Sequence, residues 1–219
     1  MIPAGRRPAR SRAWWWTVPA VLGLVLTVLI MVVLPPDRSI ESLPEVLFKL
    51  SPLLLAVAAV AGFPRRPGLG AGLLVLVFVG YLGAVDTLDI MHVLDYSRAA
   101  DKDAAFPALY RFTLFATSFT VLAVLFAYRL GGASTARVLK AGVAGVLVVV
   151  SGLNDLTFWA MYDWTGGRPR VLDWASHIAV FVGGPPTAPV AIAFCAVHLA
   201  LAAAVLALPV QRWLDRVAR

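Results

Sequence analysis

Residues 14–34 read WWWTVPAVLGLVLTVLIMVVL, 21 positions without a charge, preceded by MIPAGRRPARSRA with its four arginines and followed by Pro35-Pro36. At 1.5 Å per residue such a run matches the apolar core of a bilayer, roughly 30 Å thick. Trp14, Trp15 and Trp16 carry the amphipathic rings that settle at headgroup level. The twin arginines resemble an export signal, yet no A-x-A-like cleavage site follows. The run is therefore expected to be an uncleaved first span.

Five more stretches meet the same length criterion: about 43–63, 69–88 with a polar helical extension towards Ser97, 106–128, 138–159 and 187–208. The whole chain of 219 residues is 60% apolar and 14% charged, against roughly 45–50% and about 25% in soluble domains. That composition excludes both a soluble globule and a disordered chain. No repeat or long inner loop marks a second domain, so residues 1–219 are read as one integral membrane domain. The expected fold is all-α, a polytopic membrane protein built as a six-transmembrane-helix bundle. Between Tyr162 and Pro186, Leu172, Trp174, Ile178 and Phe181 recur near helical spacing, which predicts a short interfacial helix on the outer side, near 171–182.

Lys and Arg set the orientation. With both termini cytoplasmic, Arg6, Arg7, Arg10, Arg12, Arg65, Arg66, Arg129, Arg137, Lys140, Arg212, Arg216 and Arg219 lie inside. Arg38, Arg98, Lys102, Arg168 and Arg170 lie outside, which is 12 against 5. The expected location is the plasma membrane. The net charge of +7 is thus accounted for by topology, and with no basic stripe interleaved with aromatics no nucleic-acid partner is expected. The single cysteine, Cys195, forms neither a disulfide within the chain nor a multi-cysteine metal site.

The acids are as one-sided as the bases. Of twelve Asp and Glu residues, only Asp215 falls inside. Counting 1.5 Å per residue along each span brings Lys49, Asp86, Arg111 and the pair Asn154-Asp155 to one level in the outer third of the membrane. Charges there cost on the order of 2.5–3.5 kcal/mol each on insertion scales, so they face the bundle interior, where they pair or line a wet cavity. Glu45 precedes Lys49 by four, the favourable order for a local pair. Arg111 has no such neighbour, so its expected partners are Asp86, Asp89 or Asp155 on other helices.

Three chemistries follow from that layer. Asp86, Asp89, Asp155 and His92 are candidate acid-base groups, with Lys49 and Arg111 holding an anionic head group. Asn154, Trp159 and Tyr162 would seat the rest of a ligand, since Asp155, Trp159 and Tyr162 fall at i, i+4 and i+7. Asp89, His92, Asp173 and His177 form a candidate ligand set for a divalent transition metal, with Asp155 nearby. His198, near the middle of the sixth span, is expected to lie too deep to join His92 or His177.

The function expected is binding, with acid-base or metal-assisted chemistry, of a lipid-like or amphiphilic ligand in an outward-facing polar pocket. The competing expectation is a non-catalytic subunit or scaffold, in a homo- or hetero-oligomer, whose polar cluster is an ion-pair network holding the helices in register. A small transporter fits less well, because Thr27, Ser118 and Thr120 are too few to draw an aqueous route. Ser151 lacks a G-x-S-x-G context and reads as close packing, with Ala141, Gly145 and Gly152 on the same helix. The histidine pair of zinc-dependent membrane hydrolases and the aspartate-rich motif of membrane prenyltransferases are both lacking.

Overall fold

In a computed structural model of the chain, the described residues are 14–34, 40–64, 66, 68–162, 164 and 166–217. Arg6, Arg7, Arg10, Arg12, Asp37, Arg38, Arg65, Asp163 and Arg219 lie outside them, as do the side chains of Asp215 and Arg216. Among the described residues there are helices and no strands, apart from one isolated bridge between Val171 and Thr187.

The helices are α1 (Thr17–Val28, continued by a π segment Leu29–Val33), α2 (Leu43–Gly62), α3 (Leu69–Val75, continued by a π segment Leu76–Val85), α4 (Asp86–Arg98), α5 (Lys102–Leu130), α6 (Thr135–Val150), α7 (Leu153–Met161), α8 (Ser176–Val182), α9 (Ala188–Ala207) and α10 (Val210–Val217). Four are long and apolar enough to cross a membrane, or five if α6 and α7 count as one bent span. Thr17–Val33 is apolar but shorter. Side-chain caps start α2 at Ser42, α5 at Asp101 and α6 at Ser134, each accepting from the N–H three residues on. α2 is the hub, packed against α1, α5 and α6, while α9 lies on α6 and α4 on α5.

The close contacts are made at small residues, as expected where dispersion rather than water exclusion joins helices. A Cβ on Gly142 would fall inside the Val57 side chain, and one on Gly23 would lie 3.2 Å from Leu55 Cβ. Gly145, expected to share this role, faces open space. The tight glycine of α6 is one turn earlier.

Two elements depart from the sequence expectation. The fifth span is not one straight helix: α6 and α7 meet at 43°. Gly152 has φ +74°, a left-handed conformation that suits glycine. Beside it the buried Ser151 hydroxyl donates to the Val148 carbonyl at 2.6 Å and accepts the Leu153 N–H at 3.2 Å. Those bonds end one helix and begin the next.

The helix expected over 171–182 begins only at Ser176. The Leu172 N–H donates to Pro186 O at 2.9 Å and the Ala188 N–H to Arg170 O at 3.1 Å, so this backbone is committed to the chain just before α9. Leu172, Ala175 and Ile178 are fully buried with Ala188 and Ala191.

The cations follow a rule of their own, since a helix leaves its last carbonyls without donors. Arg111 donates to Met31 O (2.6 Å), and Arg129 to Phe63 O (2.9 Å) and Ala133 O (2.9 Å). Lys140 donates to Leu206 O (2.5 Å), Lys102 to Tyr96 O (2.7 Å) and Arg168 to Ala160 O (2.7 Å). Each of these cations lies at the carboxyl end of a helix, the negative end of its dipole. Proline explains part of the need: the residues four and five beyond Met31 are Pro35 and Pro36, which have no N–H to offer. Arg111 is therefore not tied to Asp86, Asp89 or Asp155 as expected, because the end of α1 competes for it. Lys49 does pair with Glu45, at 2.7 Å.

Candidate functional site

Asp89 lies at one end of a groove between the α3–α4 rod and α5. The groove holds about 270 Å³ and is lined by Tyr81, Asp89, Thr113, Thr117 and Thr120 with two small apolar residues. The π segment explains how Tyr81 and Asp89 come to share it. A π turn takes up roughly one more residue than an α turn, so the path from Tyr81 to Asp89 closes almost two full turns. An unbroken α-helix would leave the two about 80° apart. On α5 the threonines stand at i, i+4 and i+7, one face of a helix.

The groove is rich in acceptors. The Thr113 hydroxyl donates back to Leu109 O at 3.1 Å and that of Thr120 to Ala116 O at 3.0 Å, which leaves their oxygens as acceptors. Asp89 Oδ1 is buried with no hydrogen-bond partner among the described residues. An unmade bond of that kind is costly, and it asks for a donor.

The second feature lies at the bend. Asp155, in the first turn of α7, faces His177 of α8, with Oδ2 and Nε2 3.7 Å apart. Both atoms are buried and neither has a hydrogen-bond partner among the described residues. The gap is too long for a direct bond, but an oxygen about 2.8 Å from each atom would satisfy both. Gly152 makes room for the approach: a Cβ there would lie 2.6 Å from Ile178 Cδ1 and 3.6 Å from His177 Nε2.

Burial pushes the His177 imidazole below its ordinary value of 6.5, and the charge of His198 pushes the same way. With the folded value depressed, the unfolded chain takes up a proton that the folded ring resists. The contribution of His177 is then full above pH 6.5 and is lost as pH drops towards the folded value. In thermal melts in detergent at stepped pH, the parent is expected to lose stability relative to His177→Gln as pH falls below 6.5.

The other candidates have separate roles. His92 Nδ1 donates to Leu88 O (2.7 Å) and its ring stacks on Phe112 (4.5 Å), so it serves its own helix and α5 rather than Asp89. Asp86, Asn154 and Asp173 are exposed. Trp159 is turned away from a ligand wall: its indole donates to Pro169 O (2.8 Å) and Arg168 lies over its ring (5.4 Å). The wall above Asp155 is built instead by Phe158, Tyr162, Trp164 and Trp174, with ring centroids 4.8–5.4 Å apart. Phe158, Trp164 and Trp174 are additions to the expected set, and so are Tyr81 and the three threonines.

Asp89, His92, Asp173 and His177 are not brought together. Among the described residues no three His, Cys, Asp or Glu side chains converge to hold a metal ion. Asp173 precedes α8 instead of lying one turn from His177 on it, and His177 meets Asp155. His198 is nearer to His177 than its place in the sequence implies: both rings flank Phe194, at 4.1 and 6.5 Å, because α8 tucks against α9.

The chain matches no protein-family model, no curated protein and no solved structure.

Proposed function

We propose that the chain is a plasma-membrane protein of six spans, with both termini cytoplasmic, that binds an amphiphile in its outer half. Thr17–Val33 supplies the first span with the Trp14–Trp16 anchor, since about 17 residues are enough for a thin or local crossing. α8 then lies on the outer side, folded into the interfacial zone. The observation that carries the binding reading is the buried, unpartnered Asp89 oxygen at one end of the threonine groove. A carboxylate followed by hydroxyl acceptors selects a donor-rich head group, an ammonium first, with the alkyl chain lying along the apolar remainder. An anionic head group suits the layer less well, because Arg111 is committed to Met31 O and Lys49 to Glu45.

Titrating the full chain in phosphatidylcholine nanodiscs with long-chain alkylamine and alkyl sulfate tests this reading. The amine is expected to bind and the sulfate not, and Asp89→Asn is expected to weaken the amine about ten- to a hundredfold, as loss of a charged hydrogen bond implies. Equal binding of amine and sulfate, or an unchanged affinity in Asp89→Asn, contradicts it.

A second reading, acid-base chemistry at Asp155 and His177, rests on their facing, unpartnered atoms. A ligand hydroxyl bridging them would donate to the carboxylate and accept from the imidazole. Under this reading Asp155→Asn keeps thermal stability within about 1 kcal/mol of the parent, or raises it, because the carboxylate gives up a desolvation cost and breaks no pair with a cation. A loss beyond about 2 kcal/mol would return Asp155 to the scaffold reading, as part of a structural network.

A further inference from the structure

A second cavity lies at the other end of the bundle from Asp155, where the α5–α6 turn faces the α9–α10 junction. It holds about 530 Å³, and its polar lining comes from Ser134, Arg137, Lys140 and Gln211. Among the described residues, none that lines it is acidic. Arg137 is exposed, and its guanidinium has no acceptor among the described residues. Lys140 spends two donors on the carbonyls of Leu206 and Leu208 and keeps a third. The site is thus cationic and donor-rich, the converse of the groove at Asp89.

We propose that this cavity binds the phosphate group of an anionic amphiphile, gripped in fork geometry by Arg137 with Lys140 as the second positive charge. Two observations favour a lipid as the source. Val210, Trp213 and Leu214 fall at i, i+3 and i+4 along α10, the stripe of a helix lying in a membrane surface. Trp213 is 66% exposed and Leu206 and Leu208 about half so, which leaves an apolar path for acyl chains beside the cavity. Free phosphate shares the head-group chemistry but has no use for that path.

The test uses the full chain in phosphatidylcholine nanodiscs, with partial exchange for phosphatidylglycerol or with added inorganic phosphate, read by thermal stability and by lipids retained in native mass spectra. Phosphatidylglycerol is expected to raise the melting temperature and to be retained. Arg137→Gln is expected to weaken that response about tenfold, and Arg137→Lys, which keeps the charge but loses the fork, to weaken it by a smaller factor. Arg137-dependent protection by inorganic phosphate alone would support the anion site with a soluble source. Equal stabilisation by phosphatidylcholine and phosphatidylglycerol, or wild-type responses in both Arg137 variants, would overturn the proposal. Both variants keep the backbone N–H of residue 137 that donates to the Ser134 cap.

Discussion

Gly152→Val is expected to cost about 2–6 kcal/mol, the sum of a left-handed backbone imposed on a branched residue and a side chain forced against Ile178. The φ of +74° supplies the first part, and the 2.6 Å approach of Ile178 Cδ1 to a Cβ supplies the second. A melt of the purified variant in detergent checks the magnitude. Gly152→Ala should lose less, since alanine meets the same clash with a smaller group. The consequence for the site is direct: Asp155 stands three residues beyond Gly152, and His177 comes to it on the helix that Gly152 admits. A variant that straightened the span would part them. Unchanged stability in Gly152→Val would mean that the bend is not built as described.

Arg111→Met is expected to lower stability by about 2–3 kcal/mol, because Met31 O then has no donor in an apolar setting. Arg111→Lys should recover part of the loss, since an ammonium can reach one carbonyl. A double-mutant cycle separates this from an ion-pair role. Arg111→Met combined with Asp155→Asn should be additive to within about 0.5 kcal/mol, as for sites with no shared contact. A coupling above about 1 kcal/mol would tie Arg111 to Asp155 after all.

These two positions also show where a sequence is legible and where it is not. The helices are plain in the linear chain because a long apolar run bounded by proline has few other meanings, and the local pair of Glu45 with Lys49 is plain because four residues suffice to make it. Arg111 is harder. Opposite charges are visible in a sequence, whereas an orphaned carbonyl is not, and the only hint is the Pro35-Pro36 pair that strips Met31 of its donors. The bend at Ser151-Gly152 reads equally well as close packing until the sign of φ is known. α8 is shortened by bonds to residues 186–188, a contact with no local signature. In the groove the threonine spacing of 113, 117 and 120 was available as a helical face. Its alignment with Asp89 was not, because it depends on the π segment preceding α4. Residues far apart in the chain, such as Asp155 and His177, meet only through folding.

The central claim is that a donor-bearing amphiphile lies between the α3–α4 rod and α5 with its head at Asp89. Photolabelling of the full chain in nanodiscs with a photoreactive long-chain alkylamine, followed by peptide mapping, tests it most directly. The account predicts label concentrated in segments 81–89 and 113–120, displaced by unlabelled amine but not by alkyl sulfate, and lost in Asp89→Asn. Label spread evenly over the exposed faces of all the helices, insensitive to competitor and unchanged in Asp89→Asn, would contradict it.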